Sequence, residues 1–147
     1  MFKFKIIFLL FVFAFVSCKS QYPNEYSGYQ KYRSLDKALA NKNNVKLLDL
    51  SNQELEVIPE GVFELIHLEV LILNNNKLEK IPRNIQSLQK LERLEIMKNQ
   101  IDKLPLEIVE LKNLKKINVA YNRVNEKDVE FIKEALPSCT IITEFIL

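Results

Sequence analysis

The fold is decided by LEVLILNNNKLEKIPRNIQSLQK, residues 68–90, which is followed without a gap by LERLEIMKNQIDKLPLEIVELKN, residues 91–113. Both stretches have the same length and carry aliphatic side chains at matching positions. The same twenty-three-residue period extends outward, because Val45 begins a similar unit before them and Leu114 begins one after them. A fixed period of about 20 to 50 residues is typical of a solenoid, in which stacked coils build a continuous core.

Besides the column that begins each unit, three columns of this repeat are aliphatic in all four units. In the second unit, Leu71 and Leu73 alternate with Val70 and Ile72, which predicts a short strand with two different faces. We expect the leucine face to build the core and the other face to lie open to solvent. The three columns are Leu48, Leu71, Leu94 and Ile117; Leu50, Leu73, Ile96 and Val119; and Leu55, Leu78, Ile101 and Val124.

A proline recurs in the second half of three units. The residue before a proline favours an extended conformation, and a proline is well suited to begin a helical turn. Ile81 and Pro82 therefore predict a bend into a turn of helix that carries Ile85 and Leu88 inward. The proline column consists of Pro59, Pro82 and Pro105.

Together these columns resemble the LxxLxLxxNxL signature of leucine-rich repeats, with IPxxI in the second half. The resemblance covers residues 45–124 and implies an α/β fold: a short solenoid with a parallel sheet on its concave side and turns or short helices on its convex side. It also implies that Asn76, Asn99 and Asn122 form a ladder that satisfies backbone groups in the bends. Since the first unit has Gln53 there, we expect the ladder to begin at the second coil.

Both open ends of a solenoid need a cap. Residues 31–44 predict a helical N-terminal cap, because Ser34 can cap a short helix that includes Leu35 and Leu39. Residues 125–147 predict a C-terminal cap in which a helix ends before Pro137 and a strand follows at TIIT, residues 140–143.

Residues 1–17 have the layout of a signal peptide, a short basic start followed by an apolar run from Ile6 to Val16. A helix over that run would span roughly 17 Å, less than the ~30 Å hydrocarbon core of a bilayer. The ending Phe15 to Cys18 resembles the lipobox of bacterial lipoproteins. That resemblance implies acylation of Cys18, with palmitate as a typical chain, and a lipid anchor in the bacterial cell envelope that faces away from the cytoplasm. Plain secretion and a retained hydrophobic helix are the alternatives.

Residues 18–30 are predicted to be the lipidated cysteine and a flexible tether. The segment KSQYPNEYSGYQ, residues 19–30, has no apolar period and contains Pro23 and Gly28. We therefore expect it to hold the domain away from the lipid headgroups.

Charge and composition exclude several classes of function. The two lysines within the signal segment, Lys3 and Lys5, account for the whole formal net charge of +2, so a nucleic-acid binder is disfavoured. One histidine and two cysteines argue against a metal site, and Cys139 is expected to be a buried thiol. No cofactor is implied.

The best enzymatic alternative is a carboxylate pair. Asp49 and Glu95 share one column two coils apart, at about twice the ~4.8 Å strand spacing, which is near the range used by inverting glycosidases. Ile72 lies between them on an open sheet, where nothing is expected to raise a pKa. The sequence therefore predicts a protein that is not an enzyme.

The candidate site is the concave face of the sheet, as a contact surface for a protein partner. Its apolar residues have no predicted role in the core, and charged residues surround them. A passive envelope component without a dedicated ligand is the main alternative, and a carbohydrate-binding surface is a weaker one. The expected contacts are Val70, Ile72, Arg93, Glu95, Met97 and Tyr121.

Overall fold

The computed structural model describes residues 26–143, which form a solenoid around one parallel sheet. The six strands lie in chain order across the sheet, and every neighbouring pair is parallel. Leu47 pairs with Val70, Val70 with Arg93 and Arg93 with Lys116, so the register advances by one repeat per strand. The strands are β1 (Lys31–Tyr32), β2 (Leu47–Asp49), β3 (Val70–Ile72), β4 (Arg93–Glu95), β5 (Lys116–Asn118) and β6 (Thr140–Ile142).

The return path of the first three coils runs through a short 3-10 helix that begins after the proline column. Pro82, for example, is extended and immediately precedes the 3-10 helix Arg83–Ser87, from which Ile85 is fully buried. Leu88 follows it and is also fully buried, which confirms the predicted bend. The equivalent 3-10 helices of the neighbouring coils are Glu60–Glu64 and Leu106–Glu110.

The leucine face of the strands builds the main core, as predicted. Leu71 and Leu73 are fully buried there, together with Leu48 below them and Leu94 above them in the stack. Burial of one such side chain stabilises the fold by about 1.5 to 3 kcal/mol. The predicted α/β leucine-rich-repeat architecture is therefore confirmed.

The asparagine ladder begins at the second coil, as the sequence indicates. The Nδ2 of Asn99 donates to the carbonyl oxygens of Leu73 and Ile96, each at 3.0 Å, and its Oδ1 accepts from the backbone N–H of Leu78 at 3.1 Å. One amide thus satisfies backbone groups of two successive coils. The same bonds are repeated around Asn76 and Asn122.

Two helices cap the stack. Helix α1 (Leu35–Leu39) covers the first coil, and the Ser34 side chain accepts a bond from its Lys37 N–H at 3.5 Å. Helix α2 (Glu126–Ala135) precedes β6 at the other end, where Asn125 is the N-cap. Within residues 26–143, no helix is long and apolar enough to span a membrane. The predicted signal peptide and Cys18 lie outside the described residues.

Candidate recognition surface

The predicted orientation of Val70 and Ile72 is right, but their predicted exposure is wrong. They face away from the main core and belong with Leu47 to a second hydrophobic cluster on the concave side. Both are nevertheless 0% exposed, because Tyr26 and Tyr29 pack over this part of the sheet. The concave face therefore has a covered part and an open part.

Residues 26–30, which we call the strap, form the cover. A flexible tether was expected over residues 18–30. Within it, Tyr26 and Tyr29 pack on the apolar concave cluster, whereas residues 18–25 lie outside the described residues. The rings of Tyr26 and Tyr29 meet edge to face with centroids 5.4 Å apart, and the Tyr29 N–H donates to the Tyr26 carbonyl oxygen at 3.0 Å. Edge-to-face packing suits two aromatic rings, whose edges are positive and whose faces are negative.

The two strap hydroxyls contact equivalent residues of adjacent coils. Tyr29 donates to Glu69, and Tyr26 donates to Glu92 at 3.5 Å. Glu69 and Glu92 precede β3 and β4 and are one repeat apart. Lys46 lies 2.8 Å from Glu69 and 5.1 Å from the centre of the Tyr29 ring, so it binds both partners of that contact.

The contact between Tyr29 and Glu69 changes the pKa values of both side chains. The hydrogen bond to Glu69, burial and the negative charge of Glu69 together raise the pKa of Tyr29 from 10.0 to about 12. Burial alone would raise the pKa of Glu69, but hydrogen bonds from Lys46 and Tyr29 and the charge of Lys46 outweigh it and lower the pKa below 4.5. At neutral pH the strap is therefore held by a phenol that donates to a carboxylate.

Arg93 and Glu95, also expected to contact a partner, are buried as well. Both Nε and Nη2 of Arg93 lie 2.6 Å from the same oxygen of Glu95, and Lys116 lies 3.8 Å from that oxygen. A buried arginine and a buried carboxylate satisfy each other, whereas either one alone would be costly. The expectation that they are accessible is therefore wrong.

Met97 and Tyr121 lie on the open part of the concave face. Met97 is half-buried, and Tyr121 is 42% exposed. Lys98 directly follows Met97 and is exposed. Its Nζ lies 5.8 Å from the centre of the Tyr121 ring. We call Met97, Lys98 and Tyr121 the open patch.

The bends after β2, β3, β4 and β5 each contain a left-handed residue that was not predicted from the sequence. The φ angles of Asn52, Asn75, Lys98 and Tyr121 all lie between 55° and 59°. Asparagine tolerates this conformation better than most residues with a side chain, so the two asparagines in this column were an available signal. Lys98 and Tyr121 adopt it at a cost.

Asp49 and Glu95, the alternative catalytic pair, are each engaged in an ion pair. Asp49 lies 2.7 Å from Lys31. Burial would raise the pKa of Asp49, but hydrogen bonds from Lys31 and Ser51 lower it overall. A general acid needs the opposite shift. Within residues 26–143, no group of three or more histidine, cysteine, aspartate or glutamate side chains is placed to hold a metal ion.

Cys139 is buried at the junction between α2 and β6, as predicted. Burial raises the pKa of its thiol, although a backbone hydrogen bond from Ile117 opposes that shift. A thiol with a raised pKa is a poor nucleophile at neutral pH.

The parallel strands, the asparagine ladder and the short convex helices define a leucine-rich-repeat solenoid. Residues 29–135 match a family model described as a leucine-rich repeat region. The match spans more than half of the chain, so the chain belongs to the leucine-rich repeat family. Solenoids of this kind typically offer an extended concave binding surface. No curated protein sequence matches the chain.

Solved structures share the fold. A leucine-rich-repeat protein of Leptospira interrogans is 30% identical with a TM-score of 0.55, and the match covers 77% of this chain and 34% of that one. Internalin C2 of Listeria monocytogenes is 19% identical with a TM-score of 0.60, and the match covers 72% of this chain and 45% of that one. A second Listeria monocytogenes internalin, inlF, is 20% identical with a TM-score of 0.57, and the match covers 74% of this chain and 31% of that one. The chain therefore spans less than half of each of these proteins.

Proposed function

We propose that the protein is a non-catalytic recognition domain that binds another protein through the open patch while a lipid on Cys18 holds it at a bacterial membrane, outside the cytoplasm. The observation that carries this proposal is that Lys98 and Tyr121 occupy a left-handed position of the repeat at which the first two coils have asparagine. A residue other than glycine costs roughly 1 to 3 kcal/mol in such a conformation, and residues of this kind cluster at functional sites.

The repeat itself provides the comparison. The first two coils place Asn52 and Asn75 in this column, whereas the last two place Lys98 and Tyr121 there. All four positions share one backbone conformation, so the backbone alone does not favour a lysine or a tyrosine. The last two coils therefore differ from the first two in the side chain at this position, and both Lys98 and Tyr121 are exposed.

The chemistry of the open patch suits a protein surface. Met97 has a flexible thioether side chain that adapts to an irregular partner, and Tyr121 combines an apolar ring with a hydroxyl group. Lys98 adds a positive charge beside them. The patch is small, so we expect modest affinity or a contact that extends beyond the sheet.

The test is capture of partners from solubilised membranes with the wild-type protein and with Tyr121→Ala. Phe131→Ala is the matched control, because Phe131 is 43% exposed, almost as much as Tyr121, but lies on α2. We expect the partner to be lost with Tyr121→Ala and kept with Phe131→Ala. Identical partner profiles for all three proteins would instead favour a passive envelope component.

The proposed anchor needs a separate test. Cys18→Ala removes the thiol that would be acylated, so we expect the protein to move from the membrane fraction to the soluble fraction or to accumulate as its precursor. Cys139→Ala is the control, because it alters only the buried thiol. Unchanged fractionation of Cys18→Ala would contradict lipid attachment and leave secretion or a retained helix.

A further inference from the structure

We infer that the strap is a displaceable occupant of the concave face, and that a partner segment with two tyrosines at the spacing Tyr-x-x-Tyr replaces it. This inference rests on the proposed function and adds a second, covered site to it. The site, which we call the tyrosine groove, has an apolar floor of Leu47, Val70 and Ile72 and two acceptors, Glu69 and Glu92.

The groove is built for a specific chemistry. Its floor buries aromatic rings, while Glu69 and Glu92 each accept a bond from a phenol hydroxyl. Lys46 and Lys115 lie 2.8 and 2.9 Å from these two carboxylates and hold them beside the rings. A phenylalanine would use only the floor, so the groove favours tyrosine over phenylalanine.

The spacing of the two acceptors sets the spacing of the ligand. Glu69 and Glu92 stand on adjacent coils, and adjacent strands lie about 4.8 Å apart. The turn at residues 26–29 brings two rings to a centroid distance of 5.4 Å, which matches this separation. A segment with Tyr-x-x-Tyr in the same turn would place its hydroxyl groups on both glutamates.

The strap and the strand that follows it are held in different ways. The contacts of the strap with the groove include ring packing, two hydroxyl groups and the contact of Lys46 with Tyr29. By contrast, β1 pairs in register with β2, and Lys31 adds an ion pair with Asp49. Release of the strap can therefore stop at Gln30 and leave the six-stranded sheet intact.

The test uses a fluorescent peptide of residues 24–31, NEYSGYQK, and the full-length protein in detergent. The double variant Tyr26→Ala/Tyr29→Ala removes the rings that fill the groove. We expect it to bind the peptide at least tenfold more tightly than the wild-type protein does, because its groove has no competing tyrosines. A peptide with both tyrosines replaced by phenylalanine should bind at least fivefold more weakly.

Failure of the double variant to bind the peptide, with cooperative unfolding preserved, would overturn the inference. Equal binding of the tyrosine and phenylalanine peptides would overturn the proposed role of the two glutamates. A wild-type dimer that is lost in the double variant would assign the groove to the strap of a second copy instead.

A second measurement, on the wild-type protein alone, tests the inference even if the double variant does not fold. In hydrogen exchange of the wild-type protein, the Tyr29 amide should exchange at least a hundredfold faster than the amide of Leu73, which is bonded to Glu95 of the next coil. Equal protection would show that the strap opens only when the sheet does, and would overturn the inference. Loss of partner with Tyr121→Ala would still support the open patch in that case, so the two proposals fail separately.

Discussion

In the bends after the strands, some residues satisfy backbone groups and others are exposed to solvent. Comparison of equivalent positions in the four coils distinguishes the two roles. Asn99 is buried and bonded to the backbone, whereas its neighbour Lys98 is exposed in a left-handed conformation. The ladder was predictable, because an asparagine at a fixed column has one backbone role in every coil. The left-handed column was missed, because only its two asparagines indicate a positive φ, whereas lysine and tyrosine carry no local signal for one.

Replacement of Asn99 by alanine should lower the free energy of unfolding by about 1 to 3 kcal/mol. The change leaves the Leu78 N–H and two carbonyl groups of the coils without their bonds. Asn113→Ala is the control, because Asn113 is exposed and makes one bond to Gln89. Urea denaturation of both variants measures the difference, and equal effects would contradict a structural role for the ladder.

Tyr121→Asn should stabilise the protein by about 1 kcal/mol while it weakens partner binding. Asparagine relieves part of the left-handed strain, as Asn75 does in the second coil. The reciprocal change Asn75→Tyr should destabilise the protein by a similar amount. Thermal unfolding of both variants checks the signs, and a destabilised Tyr121→Asn would show that the tyrosine ring contributes more than the strain costs.

At the scale of elements, the strands were predictable and the strap was not. The strands β2 to β5 follow from a pattern that recurs in every coil, so each coil predicts the register of the next. The strap has no period, and its contacts reach Glu69 and Glu92, which are distant in the chain. The short strand β1 was also missed, because it is too short to show an alternation. Consequently the floor of the tyrosine groove was mistaken for free surface.

Strap attachment should weaken at both acidic and alkaline pH. Because the pKa of Glu69 is lowered in the folded protein, its contribution is present above pH 4.5 and is lost as the pH falls through the folded value. Because the pKa of Tyr29 is raised, its contribution is present below pH 10.0 and is lost as the pH rises toward about 12. The strap should therefore be held most firmly between these limits.

The variant Glu69→Gln tests the expected loss of strap attachment at both low and high pH. The difference in unfolding free energy between wild type and this variant should be constant near neutral pH and shrink below pH 4.5. In an ultraviolet titration, one tyrosine of the wild type should ionise near pH 12 and shift toward 10 in the variant. Glu79→Gln, at an exposed position, is the control. Identical titrations of wild type and Glu69→Gln would contradict the contact with Tyr29.

At the scale of the whole molecule, stability comes from contacts between neighbouring coils. Each coil of a solenoid packs only on the next, so a defect in a central coil weakens two interfaces. Leu94 of β4 is fully buried in the main core, between β3 and β5. The stack is short, and a short stack unfolds as one unit because no end coil has enough core to persist alone.

Leu94→Ala should therefore lower the free energy of unfolding by about 2 to 5 kcal/mol, through lost burial and the cavity that remains. Val57→Ala is the control, because Val57 is 72% exposed and its truncation should cost less than about 0.5 kcal/mol. Urea denaturation followed by circular dichroism should show one transition for both proteins, with a lower midpoint and an unchanged slope for Leu94→Ala. A second transition would mean that the coils on either side of Leu94 unfold separately, and that the strap and the open patch stand on independent halves of the solenoid.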